Sequence, residues 1–333
     1  MPHFRTLSLA GIAVLLPLVA ACTATPDPAS TAAGTRSATA SAPAAPGAAS
    51  SPSASASPSS RAAKALHGSY VALGDSYTAG LGVPEQSGGT AGCGQSTGSY
   101  PRLVARRLGL KLTDMSCSSA TIPDLTAPQS TGSGTNPAQL SGLTSGTALV
   151  TVGIGGNDIG MIDIVTKCTE LDLIPALTAG PNSTNVTPCK DYYTSGGTDQ
   201  IERLMPTVAA HLAETLAQIK DRSPGARVYV VGYPDLLPAG GGGCGATLGI
   251  TAGDIAFLNQ EEVRLNGVLR EAARAAGDGY VDTYTPSAGH DACAAPADRW
   301  LEPLIPSSPA APLHPNAVGE RGMAVAVEQA IGA

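Results

Sequence analysis

The sequence predicts an α/β fold: a doubly wound, mostly parallel sheet of five strands between helices, three layers (α/β/α) in all. Three observations carry that reading. Short apolar runs recur along the chain and stop abruptly at glycine or a polar turn. Longer segments with the period of amphipathic helices separate them. Hairpin signals between the runs are few. Strands that alternate with helices in this way pair in parallel, and right-handed crossovers place the helices on both faces.

The elements justify themselves in order. Residues 70–73 form the first strand, which runs into Gly74-Asp75-Ser76-Tyr77. A loop with Gly82, Gly88 and Gly89 leads to Cys93. Over residues 100–110, Leu103, Val104 and Leu108 oppose Arg102, Arg106 and Arg107, an amphipathic helix. A short strand at 112–115 ends at Cys117-Ser118-Ser119-Ala120-Thr121. The clearest strand, residues 148–154, runs into Gly155-Gly156-Asn157-Asp158. Residues 167–198 are rich in Pro, Asn, Thr and Gly and read as an inserted loop stapled by a disulfide. A helix over 201–219 is interrupted early by Pro206. Strand 227–233, a loop with four glycines (240–243), helix 254–276 and strand 280–283 follow. The last helix begins after Pro315, a residue well placed in a first helical turn, and runs to about residue 331. In such sheets ligands collect at the carboxyl ends of the strands, so the loops at Ser76, Ser119, Asn157 and 285–315 are expected on one edge.

The chain of 333 residues is longer than that domain. Residues 1–22 hold one Arg and an apolar run from Leu7 to Ala21, too short for a convincing membrane span, and read as an export signal. The run ends Leu18-Val19-Ala20-Ala21-Cys22, which resembles a bacterial lipobox with Cys22 as the lipidated residue; ordinary cleavage nearby is the alternative. Residues 23–66 are dominated by Ala, Ser, Thr, Pro and Gly. Such a composition buries too little apolar area to offset its ordering entropy, so a disordered tether is expected. The folded domain is 67–333.

Of seven cysteines, setting Cys22 aside leaves Cys93, Cys117, Cys168, Cys189, Cys244 and Cys293. An even number in an exported chain implies disulfides, with fifteen pairings open for six cysteines. There is no Cys-x-x-Cys and no histidine spacing suited to zinc, so no metal or cofactor is called for. A net charge of −7, with nineteen Lys and Arg and no basic cluster, argues against a nucleic-acid partner.

By itself the Gly-Asp-Ser turn reads equally as a helix N-cap or as a nucleophile. A serine nucleophile needs a base within hydrogen-bond reach and donors aimed at the developing oxyanion. Of five histidines, His3 lies in the signal, His67 at the domain's start and His211 on a helix. His290 and His314 both follow the last strand, and position alone does not separate them.

Three motifs in order, Gly74-Asp75-Ser76-Tyr77, Gly155-Gly156-Asn157-Asp158 and His314-Pro315-Asn316-Ala317-x-Gly319, resemble those of the SGNH (GDSL) hydrolase family. Within it the chain is most similar to the secreted streptomycete-type esterases and lipases. The resemblance implies a flavodoxin-like fold, Ser76 as nucleophile and His314 as general base. It implies an oxyanion hole from the N–H of Ser76, the Asn157 amide and a third backbone donor. It also implies sequential disulfides: Cys93–Cys117, Cys168–Cys189 and Cys244–Cys293. Two positions depart from the pattern. Ser119 stands where the family supplies a glycine N–H, a change the donor survives if the loop does not need positive φ. Ala311 stands where an Asp usually orients the histidine. A backbone carbonyl, of Pro312 or Ala311, is expected to replace it, with Asp291 or Asp298 as the competing remote acid. Residues 289–293 and 299–303 are similar too and are expected at the acyl pocket or its rim, or, for Trp300, in the core.

The implied function is an exported, monomeric serine ester hydrolase acting on small-molecule or lipid esters, anchored to the outer face of the membrane if Cys22 is lipidated. A carbohydrate acetyl esterase is the alternative enzyme. A non-catalytic surface lipoprotein that binds lipid or glycan is the alternative class, and the missing Asp favours it.

Overall fold

In the computed structural model, which describes residues 68–333 apart from Gly88, the expected doubly wound fold is present. The export signal, the tether and Cys22 lie outside the described residues. The chain runs β1 (Ser69–Gly74), α1 (Ser76–Ala79), α2 (Tyr100–Leu108), β2 (Lys111–Asp114) and α3 (Ile122–Thr126). A small hairpin follows, β3 (Gln129–Thr131) and β4 (Gly134–Asn136), and then β5 (Thr147–Gly153), α4 (Gly156–Ile159), α5 (Met161–Thr178) and α6 (Pro188–Tyr193). The second half comprises α7 (Met205–Arg222), β6 (Arg227–Val231), α8 (Gly245–Leu248), α9 (Ala252–Ala276), β7 (Gly279–Val281) and α10 (Ala317–Ile331).

The main sheet has the order β2-β1-β5-β6-β7, every pair parallel. Side chains alternate across it, as the pleat requires. Tyr70, Ala72, Leu149, Tyr229 and Val231 pack under α2 and α10, against Val104, Met323 and Val327. Val71, Leu73, Val150, Val152, Val228 and Val230 face the other layer, with Leu125, Leu212, Leu216, Leu265 and Leu269. Both faces are therefore covered, which is why the strands read as nearly continuous apolar runs. The strand order reverses between β1 and β5, and a crevice opens beyond their carboxyl ends at such a switch point.

The structure corrects three expectations. Residues 167–198 are not an inserted loop: α5 runs through to Thr178, and α6 follows. Apolar residues lie all round α5, so it shows no clean period, and Pro175 sits in its last turn, where the chain was about to leave the helix anyway. Pro206 does not interrupt its helix; it occupies the first turn of α7, where a missing N–H costs nothing. The β3–β4 hairpin, joined through Gly132-Ser133, is too short and polar to register as a strand pattern.

Candidate active site

β1 ends at Gly74, whose φ of +154° and tight surroundings leave no room for a side chain: a Cβ there would lie 2.3 Å from the Gly153 carbonyl oxygen. The Gly74 peptide is pinned on both sides by Gln139, which accepts from its N–H at 2.7 Å and donates to its carbonyl at 2.9 Å. The chain then turns straight into α1. Asp75, not Ser76, caps that helix: its carboxylate accepts the Tyr77 N–H at 2.9 Å. Ser76 is left free of capping duty in the first turn, buried to 6% exposure, with its hydroxyl pointing to the cleft.

β5 ends in the same plane and delivers Asn157 on the first turn of α4. One amide proton of Asn157 is held by the Ala120 carbonyl at 2.9 Å, which aims the other. The neighbouring Asp158 accepts the Ile122 N–H, so one dipeptide ties the β5 loop to the β2 loop at two points. The β2 loop is further held by the Cys93–Cys117 disulfide and by Gln129, which donates to the Ser118 carbonyl at 2.8 Å. Ser119 in this loop has φ of +63°. The loop does require positive φ, so the condition set on the glycine-to-serine change fails and the serine holds a conformation that favours glycine. Its N–H nevertheless has no acceptor among the described residues, and neither has that of Ser76.

His314 arrives from the long irregular segment between β7 and α10. Its Nε2 lies 2.7 Å from the Ser76 Oγ, 238 residues away in sequence. Its Nδ1 lies 2.7 Å from the Pro312 carbonyl oxygen. Of the two candidate carbonyls, Pro312 therefore faces the ring; that of Ala311 accepts the backbone N–H of His314 at 3.2 Å. Both ring nitrogens are occupied and neither meets a carboxylate. Asp291 instead accepts the Cys293 N–H at 2.8 Å, and the Asp298 carbonyl faces His290. Burial lowers the His314 pKa below the ordinary 6.5, opposed by the bond to Pro312. The ring is neutral near pH 7, the state a general base requires.

In residues 289–293 and 299–303, expected at the acyl pocket or its rim or, for Trp300, in the core, the tryptophan takes the packing role. His290 stacks on Trp300 with centroids 5.3 Å apart, and Trp300 packs under α10 against Gly319 and Gly322. Neither lines the cleft. Glu302 binds the histidine segment instead: its N–H donates to the His314 carbonyl, and its own carbonyl accepts from Leu313, both at 3.0 Å. Its carboxylate accepts from Asn316 at 2.8 Å and from Ser307 and Ser308. Burial alone would raise its pKa, but the Ser308, Asn316 and Ser307 bonds outweigh that and bring it down to about 2.

The cleft around these groups has a volume of about 370 Å³ and is lined by Leu81 and Ile162 on its apolar side and by Ser118, Ser119, Thr121 and Asp163 on its polar side. Below it, burial pushes Asp75 up to about 7, moderated by a hydrogen bond from the Tyr233 hydroxyl. That hydroxyl also accepts the Gly156 N–H at 2.8 Å, so Tyr233 joins the Ser76 turn to the Asn157 turn. Sequence reading did not assign Tyr233 or Gln139 to the site and placed Glu302 only within a segment expected at the acyl pocket; the one available signal for Tyr233 was that it ends a strand on the functional edge. The remaining cysteines are joined as Cys168–Cys189 and Cys244–Cys293. Among the described residues no helix is long and apolar enough to cross a membrane.

Residues 72–321 match the model of the GDSL-like Lipase/Acylhydrolase family. Lipase 2 of Streptomyces coelicolor is 41% identical over 257 residues, covering 77% of this chain and 83% of its own. Phospholipase A1 of Streptomyces albidoflavus superposes with a TM-score of 0.65 at 27% identity, over 80% of this chain and 100% of its own. The extracellular lipase of Streptomyces rimosus gives 0.64 at 28%, over 79% and 100%. Matched along most of its folded length in sequence, and in fold by two solved enzymes, the chain belongs to the GDSL-like lipase/acylhydrolase family and is a carboxylic ester hydrolase.

Proposed function

We propose that the enzyme cleaves lipid esters through an acyl-enzyme on Ser76, with His314 as its base. The observation that carries this is the 2.7 Å approach of His314 Nε2 to Ser76 Oγ in an open cleft flanked by unspent N–H donors. His314 takes the hydroxyl proton as Oγ attacks the ester carbon. The N–H groups of Ser76 and Ser119 and the amide of Asn157 receive the oxyanion. As the tetrahedral species collapses, the imidazolium protonates the departing alcohol. Water, deprotonated by the same nitrogen, then releases the acid and restores Ser76. The Pro312 carbonyl holds the Nδ1 proton throughout, in the place of an aspartate.

The lipases and the phospholipase among the relatives support acylglycerol or phospholipid esters as the substrate class. For residues 1–66 the sequence supports an export signal ending at Cys22, lipidation there and a polar tether to a monomeric catalytic domain.

Ser76→Ala and His314→Ala are each expected to lower kcat about 10⁴-fold or more, by analogy with other serine hydrolases. Fluorophosphonate labelling read by peptide mass spectrometry should place the adduct on Ser76; an adduct elsewhere, or an active Ser76→Ala enzyme, would overturn the assignment. Turnover of p-nitrophenyl esters of rising acyl length, beside triolein and phosphatidylcholine, tests the substrate class. Mass spectrometry of the mature N-terminus tests Cys22.

A further inference from the structure

No carboxylate touches the His314 ring, so the peptide units around it must set its direction. Two are fixed by the backbone of Glu302: the Leu313 N–H donates to its carbonyl and the His314 carbonyl accepts from its N–H, both at 3.0 Å. The peptide between Leu313 and His314, from which the imidazole departs, is fixed differently. Its N–H donates to the Ala311 carbonyl at 3.2 Å, and its oxygen accepts the Tyr77 hydroxyl at 2.5 Å. Leu313 reaches this arrangement at φ of +61°, a region that a buried, non-glycine residue leaves unless its surroundings hold it there. Tyr77 is placed to do the holding. Its side chain is 4% exposed, packs edge-on against Tyr233 with centroids 5.1 Å apart, and lies against the imidazole at 4.8 Å. It directly follows Ser76, so one turn of helix carries both the hydroxyl to be activated and the group that steadies the activating ring.

We propose that Tyr77 is a positioning residue for the base, its hydroxyl locking the Leu313–His314 peptide so that the Pro312 carbonyl, which stands in for the missing carboxylate, and Ser76 meet opposite nitrogens of one imidazole. This rests on the Ser76–His314 reading above. Tyr77 touches neither the ester nor the reacting atoms and acts only through His314. Burial holds its hydroxyl well above the ordinary tyrosine range, so it stays a donor at every working pH.

Tyr77→Phe keeps the ring and removes only the hydroxyl. With p-nitrophenyl butyrate, kcat is expected to fall about 10-fold, equivalent to ~1.4 kcal/mol, while KM stays within about twofold. The acidic limb of kcat/KM should move up toward the ordinary histidine value as the ring gains access to water. Active sites are counted by fluorophosphonate titration run to completion, so any unfolded fraction drops out. An unchanged kcat and limb overturns the proposal and leaves the Ser76–His314 reading intact, provided His314→Ala, assayed beside it, is inactive. A fall in kcat with a matching rise in KM and an unmoved limb also overturns it, since general loosening would do that. An active His314→Ala enzyme overturns both.

Discussion

Ser76 and Asn157 are held by a different kind of structure from the one that holds His314. The first two stand two and four residues beyond strands β1 and β5, whose Gly74 and Gly153 are paired in register. The buried sheet sets where they stand, and Gln139, Tyr233 and the bond from Asn157 to Ala120 fix the turns that follow. His314 hangs instead on the largely irregular segment 282–316, between β7 and α10. It is aimed by a set of single contacts: the Glu302 backbone, the Glu302 carboxylate on Asn316, and the carbonyl of Pro312. The nucleophile side is anchored on paired strands, and the base side on isolated contacts to an irregular segment. Damage to the first should therefore appear mainly in chemistry, and damage to the second in both chemistry and stability.

The largest effect expected from a single donor is on the sheet side. Asn157→Ala should lower kcat by about 10²–10³, the usual loss for one oxyanion donor, and leave KM nearly unchanged. Its bond to Ala120 is one neutral contact, so unfolding free energy should fall by only about 1 kcal/mol. Urea titration beside steady-state kinetics separates the two quantities. A stability loss several times larger would mean that this side, too, depends on individual side chains.

On the histidine side the order reverses. Glu302→Gln should reduce stability by about 1–3 kcal/mol, as a charged acceptor of several buried donors is replaced by a neutral one. The effect has a pH signature. The folded carboxyl sits at about 2 against an ordinary 4.5, so its stabilisation is complete above 4.5 and is lost as pH falls through 2. Wild type and variant should differ most at neutral pH and converge in strong acid. Urea midpoints measured between pH 2 and 7 that keep a constant gap would show that the charge is irrelevant.

This contrast also explains what the sequence could tell. That Ser76 and Asn157 stand at strand ends was legible because the apolar runs before them end in local turns, Gly74-Asp75 and Gly155-Gly156; their roles came from the three motifs taken together. The alternation of runs gave the parallel sheet and so the common edge. His314 came from its motif, but the contacts that hold it join residues 77, 302 and 313, which share no local pattern. Nor does anything in Pro312-Leu313-His314 announce a left-handed leucine. Helix α5 was missed for a related reason: with apolar residues on every side, its neighbours and not its period decide its conformation.

The smallest effects isolate the comparison most cleanly, because each side carries one non-glycine residue at positive φ. Ser119, at +63°, is exposed, and its side chain makes no bond among the described residues. Ser119→Gly relieves the left-handed strain, about 1–2 kcal/mol, less about 0.5–1 kcal/mol for the freer unfolded chain. A net gain of about 0.5–1 kcal/mol is expected, with activity within about twofold, since the backbone N–H remains. Leu313, at +61°, gains the same relief from glycine but gives up a fully buried side chain, a loss of about 2–5 kcal/mol for leucine truncations. Leu313→Gly should therefore be destabilised by about 1–4 kcal/mol, and its kcat should fall as the histidine loosens. The same substitution at nearly the same φ thus takes opposite signs in differential scanning calorimetry. If both variants gained stability, packing would not be what holds the base, and backbone strain would account for both regions alike.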